Sequence, residues 1–201
     1  MSKGTKTRER IVAKAAPLFN QRGLEGTSLA ALMKATGLEK GGIYRHFDSK
    51  QAVAVEAFDY AWRLALATRM HDLDEIINSV DKLKQFVANF VERRAPVPGG
   101  CPLLNSAIDA DDGNLALRER AQQALHTWSE HLIGIARTGI ERGEIRSEVD
   151  PTLVATLMIS LLEGALMMSR LTRNRDALHA VQAHLDQYLE TQVRKRIGSS
   201  S

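Results

Sequence analysis

The sequence predicts an all-α protein of about nine helices, with an N-terminal three-helix helix-turn-helix domain and a C-terminal helical domain. Only 5% of the 201 residues are aromatic, five are proline, and good helix formers such as Ala, Leu, Arg and Glu are plentiful. Apolar residues also recur at helical spacing along most of the chain. The 44% hydrophobic content is enough for one or two small domains with a real core.

The first two helices are marked by apolar spacing and by their end signals. A first helix over about 6–22 buries one face: Ile11, Val12, Ala15, Leu18 and Phe19. Gly23 stops it, and Pro17 inside it is expected to kink it or to reorganise its last turn. Thr27 or Ser28 can cap a short second helix, and Gly37 ends that helix. A third short helix then begins after one turn.

The third helix is unusual because it contains Gly41 and Gly42, each of which costs about 1 kcal/mol relative to Ala. Ile43 and Phe47, four residues apart, bury one face of this helix against the first two. The other face carries Lys40, Tyr44 and Arg45. Two interpretations are open: the glycines allow close approach of a phosphate or base edge, or they belong to a loose turn.

The remaining helices follow from caps and periodicity. A long helix runs from the cap residue Asp48 to about residue 70, and a fifth follows between Ile76 and Phe90. A short helix lies within 101–114, and a long one ends near Gly143. Asp150 and Pro151 start an apolar helix that reaches residue 171, and a last helix covers about 178–193.

The charge of the chain is unevenly distributed. Residues 1–50 carry ten Lys or Arg against four acids, a balance of +6, so the remainder carries −3 of the overall +3. A basic head on a mildly acidic body fits a polyanion-binding domain, although a solvated basic face is the alternative. We therefore consider both a nucleic-acid-binding protein and a non-enzymatic all-α carrier whose basic head binds another polyanion.

Enzyme classes with recognisable motifs are excluded by the sequence. Histidine spacing gives no metal ligand pair on one helical face, and no P-loop, dinucleotide fingerprint or nucleophile elbow occurs. We expect no catalytic residue, no metal and no cofactor. A single cysteine, no signal peptide, and an apolar stretch of 153–168 that is shorter than ~20 residues and contains Glu163 favour a cytoplasmic protein without a membrane partner.

The stretch GLEGTSLAALMKATGLEKGGIYRHFDSKQAV, residues 23–53, resembles the N-terminal domain of the TetR family of transcriptional regulators. The resemblance runs over roughly 7–58 and departs from the family at Glu39, usually a small capping Ser, and at Gly42, usually Thr or Ser. It implies a helix-turn-helix domain over 1–50 and an effector-binding and dimerisation domain over 51–201. The implied function is a repressor released from a palindromic double-stranded operator by a small molecule.

The resemblance also implies site residues. It implies that the residues that contact phosphates are Thr27, Ser28, Tyr44, His46 and Lys50, and that Lys40 and Arg45 contact base edges. Gly41 and Gly42 complete the implied DNA-binding set. For Tyr44 and His46 a packing or capping role is the alternative. The last two helices imply a homodimer interface formed by Leu153, Leu157, Leu161, Gly164, Ala165, Met168, Leu178, Val181 and Leu185.

The implied effector pocket has a mixed apolar and polar lining, as ligand sites require. Its candidates are Trp62, Phe86, Phe90, Cys101, Asn105, Trp128, His131, Met158, Leu162, Glu163 and Met167. Ordinary core packing is the alternative for each aromatic and Met. Glu163, alone in an apolar helix, either contacts a ligand or pairs with an arginine such as Arg137. Cys101 is either a sensor thiol for electrophiles or oxidants or an inert buried residue.

Overall fold

The computed structural model describes residues 3–109 and 114–195, and within these ranges the chain forms nine α-helices. The helices are α1 (Lys3–Arg22), α2 (Leu29–Thr36), α3 (Lys40–Tyr44), α4 (Lys50–Arg69), α5 (Ser79–Glu92), α6 (Pro102–Asp109), α7 (Leu115–Glu141), α8 (Pro151–Thr172) and α9 (Asp176–Tyr188). A 3₁₀ turn covers Leu73–Glu75, and a π-helical turn, Leu189–Val193, follows α9. The all-α fold class predicted from the sequence is confirmed.

The chain divides into two compact units. The first unit contains Met1–Leu66 and Ala95–Leu125, and the second contains Ala67–Arg94 and His126–Ser201. Both α4 and α7 therefore begin in the first unit and end in the second.

The core of the first unit is built from α1, α2, α3 and α4, with Phe47 from the turn between α3 and α4 and one residue from a distant segment. Its buried side chains are Ile11, Val12, Ala15, Ala16, Leu32, Ile43, Phe47, Val53, Ala57, Ala61 and Val97. Val97 comes from the APVPGG turn after α5, so this turn contributes to the same core as the N-terminal helices. The first unit is therefore discontinuous in sequence.

The ends of the first helices largely follow their sequence signals. The α1 helix starts three residues earlier than predicted, at Lys3, and continues through Pro17 to Arg22. Ser28, not Thr27, caps α2: its hydroxyl accepts a hydrogen bond from the Ala31 N–H at 3.2 Å. Gly37 ends α2 in the left-handed conformation, with φ of +69°, as predicted.

Two later boundaries differ from prediction, and a third agrees with it. The α4 helix is capped by Ser49, whose hydroxyl accepts from the Ala52 N–H at 3.1 Å, instead of by Asp48. The α5 helix begins only at Ser79, because Asn78 caps it and the preceding residues form the 3₁₀ turn. The Asp150 carboxylate does cap α8, accepting from the Thr152 N–H at 2.8 Å.

The core of the second unit lies between α5, α8, α9 and the second half of α7. Its largest fully buried side chains are Phe86, Leu83, Trp128, Leu132, Ile145, Met158, Leu162, Leu185 and Leu189. By length and composition alone α8 could also cross a membrane, a property that core helices of soluble proteins share. Here seven α8 residues are buried within the unit, and the 22-residue helix carries Glu163.

Candidate nucleic-acid interface and effector site

The α3 helix ends at Tyr44, so Arg45 and Phe47, which the sequence pattern placed on it, lie just beyond its end. In this segment charged and polar groups face outward, whereas the apolar side chains face inward. Lys40 and Arg45 are exposed and Tyr44 is half-buried. Ile43 and Phe47 lie in the core of the first unit. This division of faces leaves the long donor-bearing side chains available to a ligand outside the protein, and guanidinium and ammonium groups suit phosphate or guanine edges.

The glycines of α3 are not required by the fold of this chain. Neither Gly41 nor Gly42 has φ in the left-handed region. A Cβ built at Gly41 meets no heavy atom within 4 Å, and one at Gly42 lies 3.4 Å from the Leu38 Cβ, an ordinary contact. At Gly41 the missing Cβ leaves open space on the exposed side of α3, where another molecule's backbone or bases could approach.

Two of the predicted phosphate contacts have other partners in the structure. Thr27 is fully buried, and its hydroxyl donates to the Gly23 carbonyl at 2.7 Å, so this geometry does not present it to DNA. The Lys50 ammonium donates to the Leu24 carbonyl at 2.9 Å and so holds the loop before α2. Ser28 remains exposed, and the His46 side chain is half-buried.

Arg8 is a residue of this region that sequence reasoning missed. Its Nε donates to Glu56 Oε2 at 3.1 Å, its Nη2 contacts Glu56 Oε1, and its Nη1 donates to the His46 carbonyl. The guanidinium carbon also lies 4.3 Å from the centroid of the Phe47 ring. The hydrogen bond to Glu56 raises the pKa of the Arg8 guanidinium, a group that is charged in proteins in any case.

Three predicted effector-pocket residues belong to the first unit: Trp62, Cys101 and Asn105. Trp62 is buried, and Cys101 is only 2% exposed. The Asn105 side-chain N–H donates to the carbonyls of Asn20 and Gly99 at 2.8 and 2.9 Å. Gly99 has φ of +116°, and a Cβ there would lie 2.7 Å from the Asn20 carbonyl oxygen. Asn105 thus fastens the turn before α6 to the end of α1.

The second unit buries an Arg–Glu pair against aromatic rings. Arg69 Nη2 lies 3.4 Å from Glu163 Oε1, and the two side chains are 7% and 12% exposed. The Arg69 guanidinium carbon is 4.6 Å from the Phe90 centroid and 4.2 Å from that of Trp128. These two rings are stacked, with centroids 6.1 Å apart and planes 13° apart. Glu163 therefore pairs with Arg69 and not with Arg137, which is exposed.

Asn89 fixes the end of α4 beside this pair. Its side-chain N–H groups donate to the carbonyls of Arg69 and His71 at 3.0 and 2.8 Å. Its carbonyl oxygen accepts from Gln85 Nε2 and Arg93 Nε, each at 3.0 Å. A buried amide with both donors and its acceptor in use holds the chain in one arrangement. The Arg69 backbone is therefore anchored in the second unit.

The other predicted pocket residues of the second unit fall into two groups. Phe86, Met158 and Leu162 are fully buried, and Phe86 packs near Trp128 with ring centroids 6.1 Å apart. His131 is exposed, and Met167 is 47% exposed on α8. The last two residues therefore do not share the environment of the Arg69–Glu163 pair.

The α8 helix presents an apolar surface outside the core. Leu153 and Met168 are 52% and 53% exposed, and Leu157, Leu161 and Gly164 are half-buried. Val181, on α9, is also half-buried. The sequence reasoning missed Leu171, which is 77% exposed and extends this stripe at helical spacing. The remaining predicted interface residues, Ala165, Leu178 and Leu185, are buried inside the unit, because they face its own core.

The missed residues had different sequence signals. Leu171 continues the spacing of Leu157, Leu161, Gly164 and Met168, so the period of the helix could have identified it. Arg8 had no comparable signal, because its partner Glu56 is 48 positions away. Arg69 lies 94 positions from Glu163, so their pairing is likewise a product of the tertiary fold.

Comparisons with known proteins agree with the geometry. A family model described as "Bacterial regulatory proteins, tetR family" matches residues 11–57. A second, described as "Tetracyclin repressor-like, C-terminal domain", matches residues 79–185 and so covers more than half of the chain.

Solved structures and a sequence relative match nearly the whole chain. A TetR transcriptional regulator from Chloroflexus aurantiacus J-10-FL is 45% identical, with a TM-score of 0.92 over 98% of this chain and 100% of that chain. A TetR-family regulator from Cytophaga hutchinsonii is 37% identical, with a TM-score of 0.92 over 98% of each chain. The HTH-type transcriptional repressor DhaR from Mycobacterium sp. (strain GP1) is 27% identical over 179 residues, 87% of each chain.

Proteins of this family bind operator DNA as dimers and respond to small-molecule effectors. The basic outward face of α3 suits contact with DNA, and the apolar stripe of α8 suits contact with a second subunit. The resemblance seen in residues 23–53 is thereby confirmed: the chain belongs to the TetR family of bacterial transcriptional regulators, soluble proteins that bind DNA.

Proposed function

We propose that this regulator is a cytoplasmic repressor that binds a palindromic operator as a homodimer and is released when a small molecule binds in the second unit. One observation carries the effector part of the proposal. The second unit buries an arginine and a carboxylate against stacked aromatic rings, and that arginine lies in the last turn of α4. We propose no enzymatic activity and no cofactor, since regulation by this route requires only binding.

The proposed DNA contacts follow the exposure of the side chains. Lys40 and Arg45 read base edges, Tyr44, His46 and Ser28 contact phosphates, and Gly41 and Gly42 admit the DNA backbone. Lys50 supports the interface indirectly, because its ammonium holds the Leu24 carbonyl. Thr27 has no direct part in this proposal, since its buried hydroxyl bonds to Gly23.

The proposed release is a population shift. The α4 helix starts in the first unit, directly after α3, and Arg69 ends it in the second. A ligand whose polar group competes for Arg69 or Glu163 changes the contacts of that last turn. It lowers operator affinity only as far as it discriminates between the DNA-bound arrangement and another. Burial of Cys101 favours this route over thiol chemistry as the trigger.

Selection of bound fragments from random duplex DNA tests the DNA-binding part. A palindromic consensus, bound about 10³-fold or more tightly than random DNA, is the expected result. Failure to enrich any sequence would contradict specific operator binding and would favour a head that binds polyanions without sequence preference.

A screen for release of the selected operator, read by fluorescence anisotropy, tests the effector part. A compound that releases wild-type protein should no longer release the double variant Arg69→Met/Glu163→Leu, which keeps apolar volume and loses both charges. Cys101→Ser is the matched control and should still respond. Release that depends on Cys101 and not on the charge pair would contradict the proposed site and support a sensor thiol.

A further inference from the structure

Arg8 joins α1 and α4 to the segment that follows α3. It projects from α1, its guanidinium forms a two-point contact with the Glu56 carboxylate on α4, and its Nη1 donates to the His46 carbonyl beyond the end of α3. The guanidinium also covers the Phe47 ring at 4.3 Å. A planar fork of five N–H donors suits this set of partners, and an ammonium group does not.

The α3 helix needs such support because it is weak by itself. It has only five residues, two of them glycine, and its N-cap residue Glu39 makes no side-chain cap hydrogen bond. A helix this short has no independent stability in water, so its direction is set by tertiary contacts. Ile43 anchors α3 in the core, Phe47 anchors the segment just after it, and Arg8 holds that segment at the His46 carbonyl.

We propose that Arg8 and Glu56 are a positioning pair that sets operator specificity: they fix the direction of α3, so that Lys40 and Arg45 meet base edges in register. This inference rests on the proposed role of α3 as the operator reader. Neither residue of the pair touches DNA in this proposal. Their loss therefore lowers affinity for the operator and leaves affinity for random DNA, which depends on phosphate contacts alone, nearly unchanged.

The charge of Glu56 makes the test sharp. Removing a carboxylate from a basic head should strengthen binding to any polyanion if charge alone matters. If Glu56 positions α3 through Arg8, Glu56→Gln should instead weaken operator binding. Positioning and simple electrostatics therefore predict opposite signs for the same variant.

The experiment measures the dissociation constants of the full-length protein for the selected operator and for random duplex DNA at several salt concentrations. We expect Glu56→Gln and Arg8→Lys to lower the operator-over-random ratio about tenfold, a size typical of one lost contact in a coupled set. Arg8→Lys keeps the charge, so its affinity for random DNA and its salt slope should equal those of the wild type. Thermal unfolding followed by circular dichroism shows that each variant is folded at the assay temperature.

Glu9→Gln and Arg10→Gln are matched controls, since both residues are exposed on α1 and carry the same charges. Each should shift both affinities together and leave the ratio unchanged. The inference is overturned if Glu56→Gln behaves like Glu9→Gln, or if Arg8→Lys and Glu56→Gln lose operator and random binding together with a reduced salt slope. If the wild type itself shows no preference for any sequence, the proposed function fails, independently of the pair.

Discussion

The two units each contain an arginine–glutamate pair, but the two pairs differ in almost every respect. In the first unit, Arg8 and Glu56 are 42% and 37% exposed and meet through two contacts. In the second unit, Arg69 and Glu163 are 7% and 12% exposed and meet at 3.4 Å, with the guanidinium against two aromatic rings. The Arg8–Glu56 pair is therefore largely accessible to solvent, whereas the Arg69–Glu163 pair is largely shielded from it.

This difference in exposure shows that an ion pair can orient a helix without adding much to the free energy of unfolding. An exposed pair contributes about 0–1 kcal/mol, so the value of Arg8 and Glu56 lies in the direction that they give to α3. A buried pair loses hydration worth several kcal/mol, and apolar side chains of similar volume are often as stable. The Arg69–Glu163 pair is therefore weak evidence for stability and better evidence for a site that recognises a polar ligand.

The largest predicted effect contrasts the same substitution in the two pairs. Glu163→Gln should destabilise the protein by about 3 kcal/mol, because it leaves the Arg69 charge buried without a counter-charge. Glu56→Gln should cost under about 1 kcal/mol, since water can replace the carboxylate. Urea unfolding at one fixed protein concentration measures both.

Equal losses of stability for the two variants would erase the distinction between the pairs. The double variant Arg69→Met/Glu163→Leu is the control for burial, because it removes both charges at once. It should recover most of the stability that Glu163→Gln loses, and a double variant as unstable as the single one would show that packing, not charge, dominates there.

The next largest effect is expected on the affinity of the homodimer, through the exposed apolar residues of α8. Leu171→Glu on the exposed stripe of α8 should weaken the homodimer by about 2 kcal/mol, which raises its dissociation constant about thirtyfold. The reason is that each subunit loses a leucine that dimerisation would bury. Sedimentation equilibrium measures the change. Ile77→Glu is the control, since Ile77 is 81% exposed in the same unit outside α8. If Leu171→Glu and Ile77→Glu weaken the dimer equally, or if neither weakens it, the α8 stripe is not the interface.

Within the first unit, two neighbouring residues of the recognition surface should behave differently. Arg45→Ala should narrow the gap between operator and random DNA by about 1–2 kcal/mol, because a base contact carries sequence information. Tyr44→Ala should weaken binding to every duplex, because a phosphate contact does not. Binding curves on both DNAs measure this, and identical behaviour of the two variants would contradict the assigned roles.

The smallest effect has opposite signs in two assays. Gly41→Ala should stabilise the first unit by about 0.5–1 kcal/mol, since a Cβ there meets no protein atom and Ala favours the helix. It should also weaken DNA binding, because the added methyl group occupies space on the face presented to DNA. Thermal unfolding and operator titration test the two halves. An unchanged operator affinity would favour the loose-turn interpretation of the glycines.

Features encoded locally could be predicted from the sequence. Gly37 and Asp150 end and start their helices as their residue types predict. Ile43 and Phe47 are both buried in the core as predicted, although α3 ends at Tyr44 and Phe47 lies beyond it. These signals act within one or two turns of a helix, so a single sequence displays them. The family resemblance added the function, because it supplied information that no single sequence contains.

Features that depend on distant partners could not be predicted in the same way. The hydroxyls of Thr27 and Ser28 are adjacent, yet only the tertiary fold decides which is buried. Glu163 was identified as an anomaly in an apolar helix, but its partner Arg69 lies 94 positions away. Sequence reasoning thus identified the unusual groups of the candidate site and left their pairing open.

The turn that carries Val97 has a consequence for recombining regulators of this kind. Val97 lies in the same core as Ile11 and Phe47, and Asn105 and Gly99 hold the turn to Asn20 at the end of α1. A DNA-binding head cut from this protein after α4 would therefore lose Val97 from its core and the contacts that Asn105 and Gly99 make with Asn20. A chimeric repressor would keep its head intact only if residues 95–109 were exchanged together with the N-terminal helices, as two separate inserts of one module.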